Sequence, residues 1–435
     1  MNKPLFIISS PYDTYSGYGA RSRDLIKAII KTDKYDVKLA PQRWGDCAWG
    51  FCKDNSEWSF LYEYNLTTPQ LPKQPEIWMQ ITVPNEFTPI GKYNIGVTAG
   101  IESTICAPDW IEGSNRMNLT LVSSNHSKQV FENSKFEKRN KQTNVLEGTI
   151  ELNKPVEVLF EGANLETYLP QEPAIKGVSV LSDTISDIKE DFAYLFLGHW
   201  MQGDLGEDRK NVSLLVKAFF ETFKNKSKKP ALILKTSGAV SSYADRELIL
   251  SKIQQIRDTV DSKILPNVYL LHGEFSDIEI NEIYNHPKVK AMVSLTKGEG
   301  FGRPLLEFSL VKKPIIVSNW SGHMDFLNPE FVVAINGELK NVHPSTANQF
   351  LLPESQWFSP HYIEIGNSLK DVFENYKNYN EGAKRQVFRS KNEFSWDKMK
   401  EKIDSLFTQY IPEFPKAVEL KLPQLKKLEL PKLKK

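Results

Sequence analysis

Cysteine is scarce in this chain: Cys47, Cys52 and Cys106 are the three present. So few scattered thiols exclude a paired disulfide framework, and no histidines join them at zinc-ligand spacing. They point to a reducing compartment. Long apolar runs are also missing, because no stretch approaches the ~18 apolar residues that a bilayer crossing needs. The opening MNKPLFIISSPYD lacks the extended apolar core of a secretory signal, so a cytoplasmic protein is expected. Charge of one sign is not in excess. The formal net charge of +1 gives neither the global basic footprint of a nucleic-acid binder nor its acidic counterpart. No Asp-x-Asp pair ends an apolar run, so neither an essential divalent metal nor another cofactor is expected.

What is present is ordinary globular material at a length suited to two domains. The 435 residues are 40% hydrophobic and 25% charged. Short apolar runs alternate with amphipathic stretches. PLFII, EIWMQI, YNIGVTA, LTLVSS and VEVLF form a first series; FAYLFLG, PALILK, NVYLLHG, KAMVSL, KPIIVS and EFVVAI form a second. In ARSRDLIKAII, Leu25, Ile26, Ile29 and Ile30 share one helix face. In KNVSLLVKAFFETF, Val212, Leu215, Val216, Phe219, Phe220 and Phe223 do the same. Apolar strands separated by such helices give buried parallel sheets, so two Rossmann-like, doubly wound α/β domains facing a central cleft are expected. They are placed at residues 1–172 and 173–394, with a surface excursion in FEKRNKQTNVLEGTIELNKP. A helix over 395–411, capped by Ser395 and striped by Trp396, Met399, Ile403 and Leu406, is expected to pack back on the first domain. In the 412–435 tail, LPQLKK and LPKLKK repeat at a period of eight, and Pro423 and Pro431 exclude one long helix. The tail is either solvated or a docking segment for a partner protein, an anionic membrane or nucleic acid.

The segment with the most chemistry is KGEGFGRPLLE, residues 297–307. It reads as a glycine loop opening a helix, with Pro304 in the first turn, where a missing N–H costs nothing. Unpaired amides at a helix start attract an anion, typically phosphate, and Gly298, Gly300 and Gly302 let the backbone approach a ligand closely. Carboxylates beside a phosphate need another task. Each accepts two hydrogen bonds side by side and suits a vicinal diol of ribose or hexose. Glu299 and Glu307 with this loop therefore suit a nucleotide sugar.

This segment resembles the E-x7-E signature of retaining GT-B glycosyltransferases, close to family 4. KKPIIVSNWSGHMDFL, FLGHWMQGDLGEDRKNVSLLVKAFFETF, SPYDTYSGYGARSRDLIKAI, GIESTICAPDW and LVSSNHSKQVF resemble other segments of that family, so the likeness spans most of residues 4–410. It implies a GT-B architecture and transfer of a hexosyl or pentosyl unit from a nucleotide diphosphate sugar, with retained configuration. The acceptor hydroxyl belongs to a glycan, a lipid-linked sugar, a protein or a modified DNA base. It implies that Glu307 binds ribose hydroxyls and that Glu299 contacts the donor sugar. The amides of Gly300, Phe301 and Gly302 hold sugar or diphosphate; Arg209 or Lys210, with Lys235 second, neutralise the leaving diphosphate; Gly17 and Gly19 approach it from across the cleft. The sequence departs from the family where LGHW places His199 instead of an arginine. No histidine appears in EIWMQITVPNEF, where Gln80 or Asn85 stands.

Other candidates are weaker. SGYGARS has no GK[ST] and lacks a third glycine, which excludes a P-loop and disfavours a dinucleotide fingerprint. Glu102 in GIEST is an acceptor-side base or a helix cap. His126 reads as a surface or hydrogen-bonded histidine, and His323 as a loop residue near the cleft. Trp44, Trp49 and Trp58 are core residues or an acceptor platform. A glycosidase needs carboxylates on opposing sides of one bond, whereas these two share one loop and helix. A sugar-nucleotide epimerase or phosphorylase and an inactive sugar-binding scaffold are the remaining rivals.

Overall fold

The computed structural model describes residues 3–415, apart from Pro69, Pro72, Lys141, Lys176, Ala239 and Val240. The Leu/Lys repeats of the tail, and the docking expected of them, lie outside the described residues.

In the first domain, strands β1 (Leu5–Ser10), β2 (Asp36–Pro41), β3 (Ile77–Ile81), β4 (Tyr93–Val97) and β5 (Leu119–Val122) are all parallel. A hairpin of β6 (Phe136–Arg139) and β7 (Leu146–Ile150) occupies the expected surface excursion, and β8 (Val156–Val158) completes the sheet. The order is β2-β1-β3-β4-β5-β8. Helices α1 (Gly17–Lys31), α2 (Phe51–Asp54), α3 (Pro108–Arg116) and α4 (Asn125–Asn133) belong to this domain. Helix α1 starts at Ser16, whose hydroxyl accepts from the Gly19 amide and satisfies one orphan donor. Its Leu25, Ile26 and Ile29 are buried on the sheet.

The second domain opens with α5 (Val180–Ser186) and carries a sheet ordered β11-β10-β9-β12-β13-β14. Its strands are β9 (Ala193–Leu197), β10 (Ala231–Lys235), β11 (Val268–Leu271), β12 (Val289–Ser294), β13 (Ile315–Ser318) and β14 (Val333–Ile335). Helices α6 (Val212–Phe223), α7 (Tyr243–Asp258), α8 (Asp277–Asn285) and α9 (Arg303–Phe308) connect them. The six apolar residues that the spacing placed on one face of α6 are all buried. Truncating one of its phenylalanines to alanine would cost about 3–5 kcal/mol. Helix α8 has a full capping box between Ser276 and Glu279.

An antiparallel hairpin not expected from the sequence, β15 (Gly337–Asn341) with β16 (Gln356–Pro360), precedes α10 (Tyr362–Glu374) and α11 (Asn380–Glu393). Finally α12 (Trp396–Tyr410), capped by Ser395, returns to the first domain, where Met399, Ile403, Leu406 and Phe407 join its core. Phe160 packs against both cores, and Ala163 and Tyr168 already belong to the second. The chain thus crosses between domains near residues 160–163, upstream of the expected boundary at 172.

Candidate active site

In the second sheet, strand order reverses between β9 and β12. The carboxyl ends of these strands are where open α/β sheets take ligands. The loops after these strands carry His199 and the KGEGFGRPLLE segment. Leu197, Lys210, Ser294, Glu299, Gly302 and Pro304 are among the residues lining a small cavity there.

Glu299 is buried, and its carboxylate is held by two cations. Lys210 Nζ lies 2.5 Å from Oε1 and Arg209 Nη1 lies 3.6 Å from Oε2. Burial pushes its pKa up, but Lys210 and Arg209 outweigh that and bring it down to about 2. The Glu299 amide donates to Ser321 Oγ at 2.9 Å, and the Gly322 amide donates to the Glu299 carbonyl at 3.0 Å, which fixes the loop. Arg209 is heavily engaged. It reaches Glu102 of the opposite domain at 3.3 Å and donates to the Gly298 carbonyl at 2.9 Å. Lys210 and Lys235 face His199, whose pKa is lowered by burial first and by these two ammonium groups second. Ser237 Oγ stands 3.4 Å from His199 Nδ1. Where an arginine was missing from the sequence pattern, the fold thus assembles two lysines around a histidine.

Glu307 has a different environment. Arg303 Nε donates to its Oε1 at 2.9 Å, and the Tyr284 hydroxyl faces Oε2 at 3.4 Å. Burial nevertheless dominates and drives its pKa up to about 7, with Arg303 opposing and Asp277 reinforcing. Helix α9 is short. It ends at Phe308, and the chain turns away at Lys312, with φ of 60°. With only six residues it contributes amides more than a macrodipole. Among the described residues, the amides of Gly300, Phe301 and Gly302 find no acceptor within the protein. The Phe301 ring packs on Phe326 in the core.

The close approach expected at the glycines has a different partner. A Cβ at Gly298 would stand 1.9 Å from the Glu102 carbonyl oxygen, and one at Gly300 would stand 2.3 Å from that of Ala99. The loop after β4, in the first domain, presses on the glycine loop. These glycines therefore admit the facing domain, not simply a ligand.

Other contacts also bridge the domains. Asp325 accepts from the amide and the side chain of Asn125 at 2.7 and 3.2 Å. Thr104 and Gln356 exchange two hydrogen bonds, and Phe350 packs on Trp110 with ring centroids 5.7 Å apart.

The remaining candidates are distributed as follows. Gly17 is exposed with open space around it, whereas Gly19 packs against Thr14. Lys235 lies at the end of β10, over the Phe275 ring. Asn85 is exposed on the turn after β3, and its carbonyl accepts from Arg116 of the same domain. Gln80 spends its amide locally on Glu86 and Thr88. His126 sits edge-on against Trp320 across the cleft, with its pKa lowered to about 4 by burial and by His323. His323 is buried and Nε2 lies 2.7 Å from the Ser318 carbonyl oxygen. Trp44 stacks on Tyr18, Trp49 is exposed, and Trp58 packs with Phe60 and Lys27. No group of three or more metal-binding side chains occurs among the described residues. No helix among them is long and apolar enough to cross a membrane.

Three residues that the sequence reading passed over belong to this site: Asp24, Tyr284 and Arg303. Arg303 was legible, because it stands four positions before Glu307 on a helix, a spacing that pairs opposite charges. Asp24 and Tyr284 left no such local signal.

No family model matches the sequence, and no curated protein matches it. Solved structures do. A glycosyltransferase from Rickettsia africae ESF-5 aligns with a TM-score of 0.64 at 12% identity, covering 94% of this chain and 99% of that one. Sucrose-phosphate synthase from Thermosynechococcus elongatus aligns at 0.58 and 12% identity, over 94% of this chain and 99% of that one. HepE from Anabaena, in complex with UDP and glucose, aligns at 0.56 and 12%, over 93% and 100%. The protein has the GT-B fold: two Rossmann-like domains of six parallel strands each, facing one another across a cleft.

Proposed function

We propose that this protein is a retaining glycosyltransferase that moves a hexosyl or pentosyl unit from a nucleotide diphosphate sugar to a hydroxyl acceptor, in the manner of family 4. The observation that supports this reading is a small cavity lined by Lys210, Glu299 and Gly302 at the carboxyl ends of the second sheet, beside a glycine loop whose Gly300, Phe301 and Gly302 amides are unpaired, with Glu307 buried on the helix that follows. An inactive scaffold would have no use for a cationic cluster buried beside two acids. The Anabaena neighbour, which was also solved with UDP-glucose, supports a nucleotide-sugar donor.

In this reading Glu307 holds the ribose hydroxyls and the ionised Glu299 accepts from a hydroxyl of the donor sugar. The glycine-loop amides, Lys210 and Lys235 receive the negative charge that grows on the diphosphate as the anomeric C–O bond breaks. The acceptor oxygen attacks the same face, and its proton passes to the departing phosphate oxygen. One preorganised donor aimed at such charge contributes about 2.7–4 kcal/mol. The close contact of the glycine loop with the β4 loop excludes water, which would otherwise compete as acceptor. The acceptor is a glycan or lipid-linked sugar, approached from the Glu102 side, and transfer takes place in the cytoplasm without a divalent metal.

Incubation with UDP-, GDP- and ADP-sugars tests the reading. Slow release of nucleoside diphosphate without acceptor, and an α-linked product from an α-linked donor with acceptor, are expected. Absence of both release and thermal stabilisation with every donor would overturn it.

A further inference from the structure

Arg303 ties the proposed nucleotide site to the opposite domain. Its Nε donates to Glu307, while its Nη1 donates to Asp24 Oδ2 on α1 at 2.6 Å. Asp24 and Glu307 are both buried, so this ion pair is shielded from the solvent that weakens surface pairs. A guanidinium presents its donors in a fixed planar fork and spans two acids at once; a lysine ammonium is a single point charge on a flexible stem. Glu307 uses one lone pair on Arg303 and faces Tyr284 with its other oxygen, which leaves capacity for a diol. Asp24 lies on the same helix as Gly17 and Gly19, so drawing Asp24 toward α9 also draws in the loop at the start of α1.

We infer that Arg303 is a positioning residue that couples donor recognition to domain closure, fixing the Glu307 rotamer for the ribose hydroxyls while gripping Asp24 of the facing domain. The inference rests on the nucleotide-sugar reading above. It predicts an asymmetry among ligands. A nucleoside monophosphate, bound by the second domain alone, gains little from the latch. A complete nucleotide sugar, enclosed by both domains, gains from it in full.

The test is calorimetric titration of wild type, Asp24→Asn, Arg303→Lys and their double variant. The ligands are the best binder among UDP-glucose, GDP-mannose and ADP-glucose, and its own nucleoside monophosphate. Asp24→Asn should weaken nucleotide-sugar binding about tenfold, within the span of ordinary coupling energies. Monophosphate binding should be unchanged. Arg303→Lys should give a similar loss, and the double variant should lose no more than either single one. Asp24→Glu, which keeps the charge, should restore most of the affinity and separates the latch from a folding defect. Equal weakening of both ligands in Asp24→Asn, or no weakening of either, overturns the latch alone. Failure of wild type to bind any nucleotide sugar overturns the functional reading, and the latch with it.

Discussion

Glu299 and Glu307 come from one short loop and helix, yet their surroundings drive them in opposite directions. Glu299 meets Lys210 and Arg209 and is held ionised, with a pKa of about 2. Glu307 has Arg303 as a neighbour, but Arg303 is shared with Asp24, and burial lifts the acid to about 7. Burial is nearly equal at the two positions, so the difference comes from the neighbouring charges: Lys210 and Arg209 favour the ionised Glu299, whereas Glu307 has one shared Arg303 and is opposed by Asp277 and Asp24. In the proposed reading, the acid that faces the reacting sugar is the one with a dedicated ammonium group, and the acid that faces the ribose diol is the one nearer neutrality. Sequence spacing places Glu299 in the loop and Glu307 in the helix, but it cannot make this distinction, because Lys210 lies 89 positions from Glu299.

The comparison can be broken most forcefully at Lys210. Lys210→Met removes the dedicated partner of Glu299 and, in the proposed reading, a cation for the diphosphate. Turnover should fall on the order of 10²–10³-fold, the loss typical of one preorganised charge-stabilising donor. Single-turnover kinetics would show it. Substituting the acids should then separate their roles. Glu299→Gln should act chiefly on kcat. Glu307→Ala should raise the donor KM roughly 10-fold, as expected for losing a pair of hydrogen bonds to the ribose hydroxyls. Equal effects of the two substitutions on kcat and KM would remove the distinction.

Stability against pH sharpens it further. Glu307 keeps its proton longer in the folded state than in the unfolded chain. Its contribution is therefore fully present below about pH 4.5 and is lost as pH rises through about 7. The change is worth about 3 kcal/mol. Glu299 has the opposite sign: its contribution is present above about pH 4.5 and is lost as pH falls toward 2. Urea unfolding across this range, taken as wild type minus Glu307→Gln and wild type minus Glu299→Gln, should give difference curves that slope in opposite directions. The smallest effect is expected from deleting residues 416–435, which should leave donor affinity unchanged, as measured by the same titration.

The parts of this molecule that were legible in the sequence share one property: their signal is local. Apolar runs marked most of the buried parallel strands, and the three-and-four spacing of α6 marked its buried face. Ser395 followed by Trp396, Met399, Ile403 and Leu406 marked α12. Strand β2 escaped because, at the sheet edge, only Val37 and Leu39 are buried. The β15–β16 hairpin escaped because β15 is largely exposed and carries a mixture of polar residues. Within the site, the glycine loop, Pro304 and both acids were readable. Asp24 was not, because its partner lies 279 positions away. The pressure of Ala99 and Glu102 on Gly300 and Gly298 was hidden for the same reason. Sequence spacing reports the helix or loop that carries a residue, while the partner across a cleft is set by how two domains meet.

In the proposed function, the crevice between these domains binds a nucleotide diphosphate sugar through Glu307 at one end and Lys210 at the other. Calorimetric titration of UDP-, GDP- and ADP-sugars into wild type, Glu307→Ala and Lys210→Met addresses it directly. Saturable binding of at least one donor by wild type, weakened in both variants, is the predicted result. Wild-type affinity in both variants, or no binding of any donor by the intact protein, would contradict it.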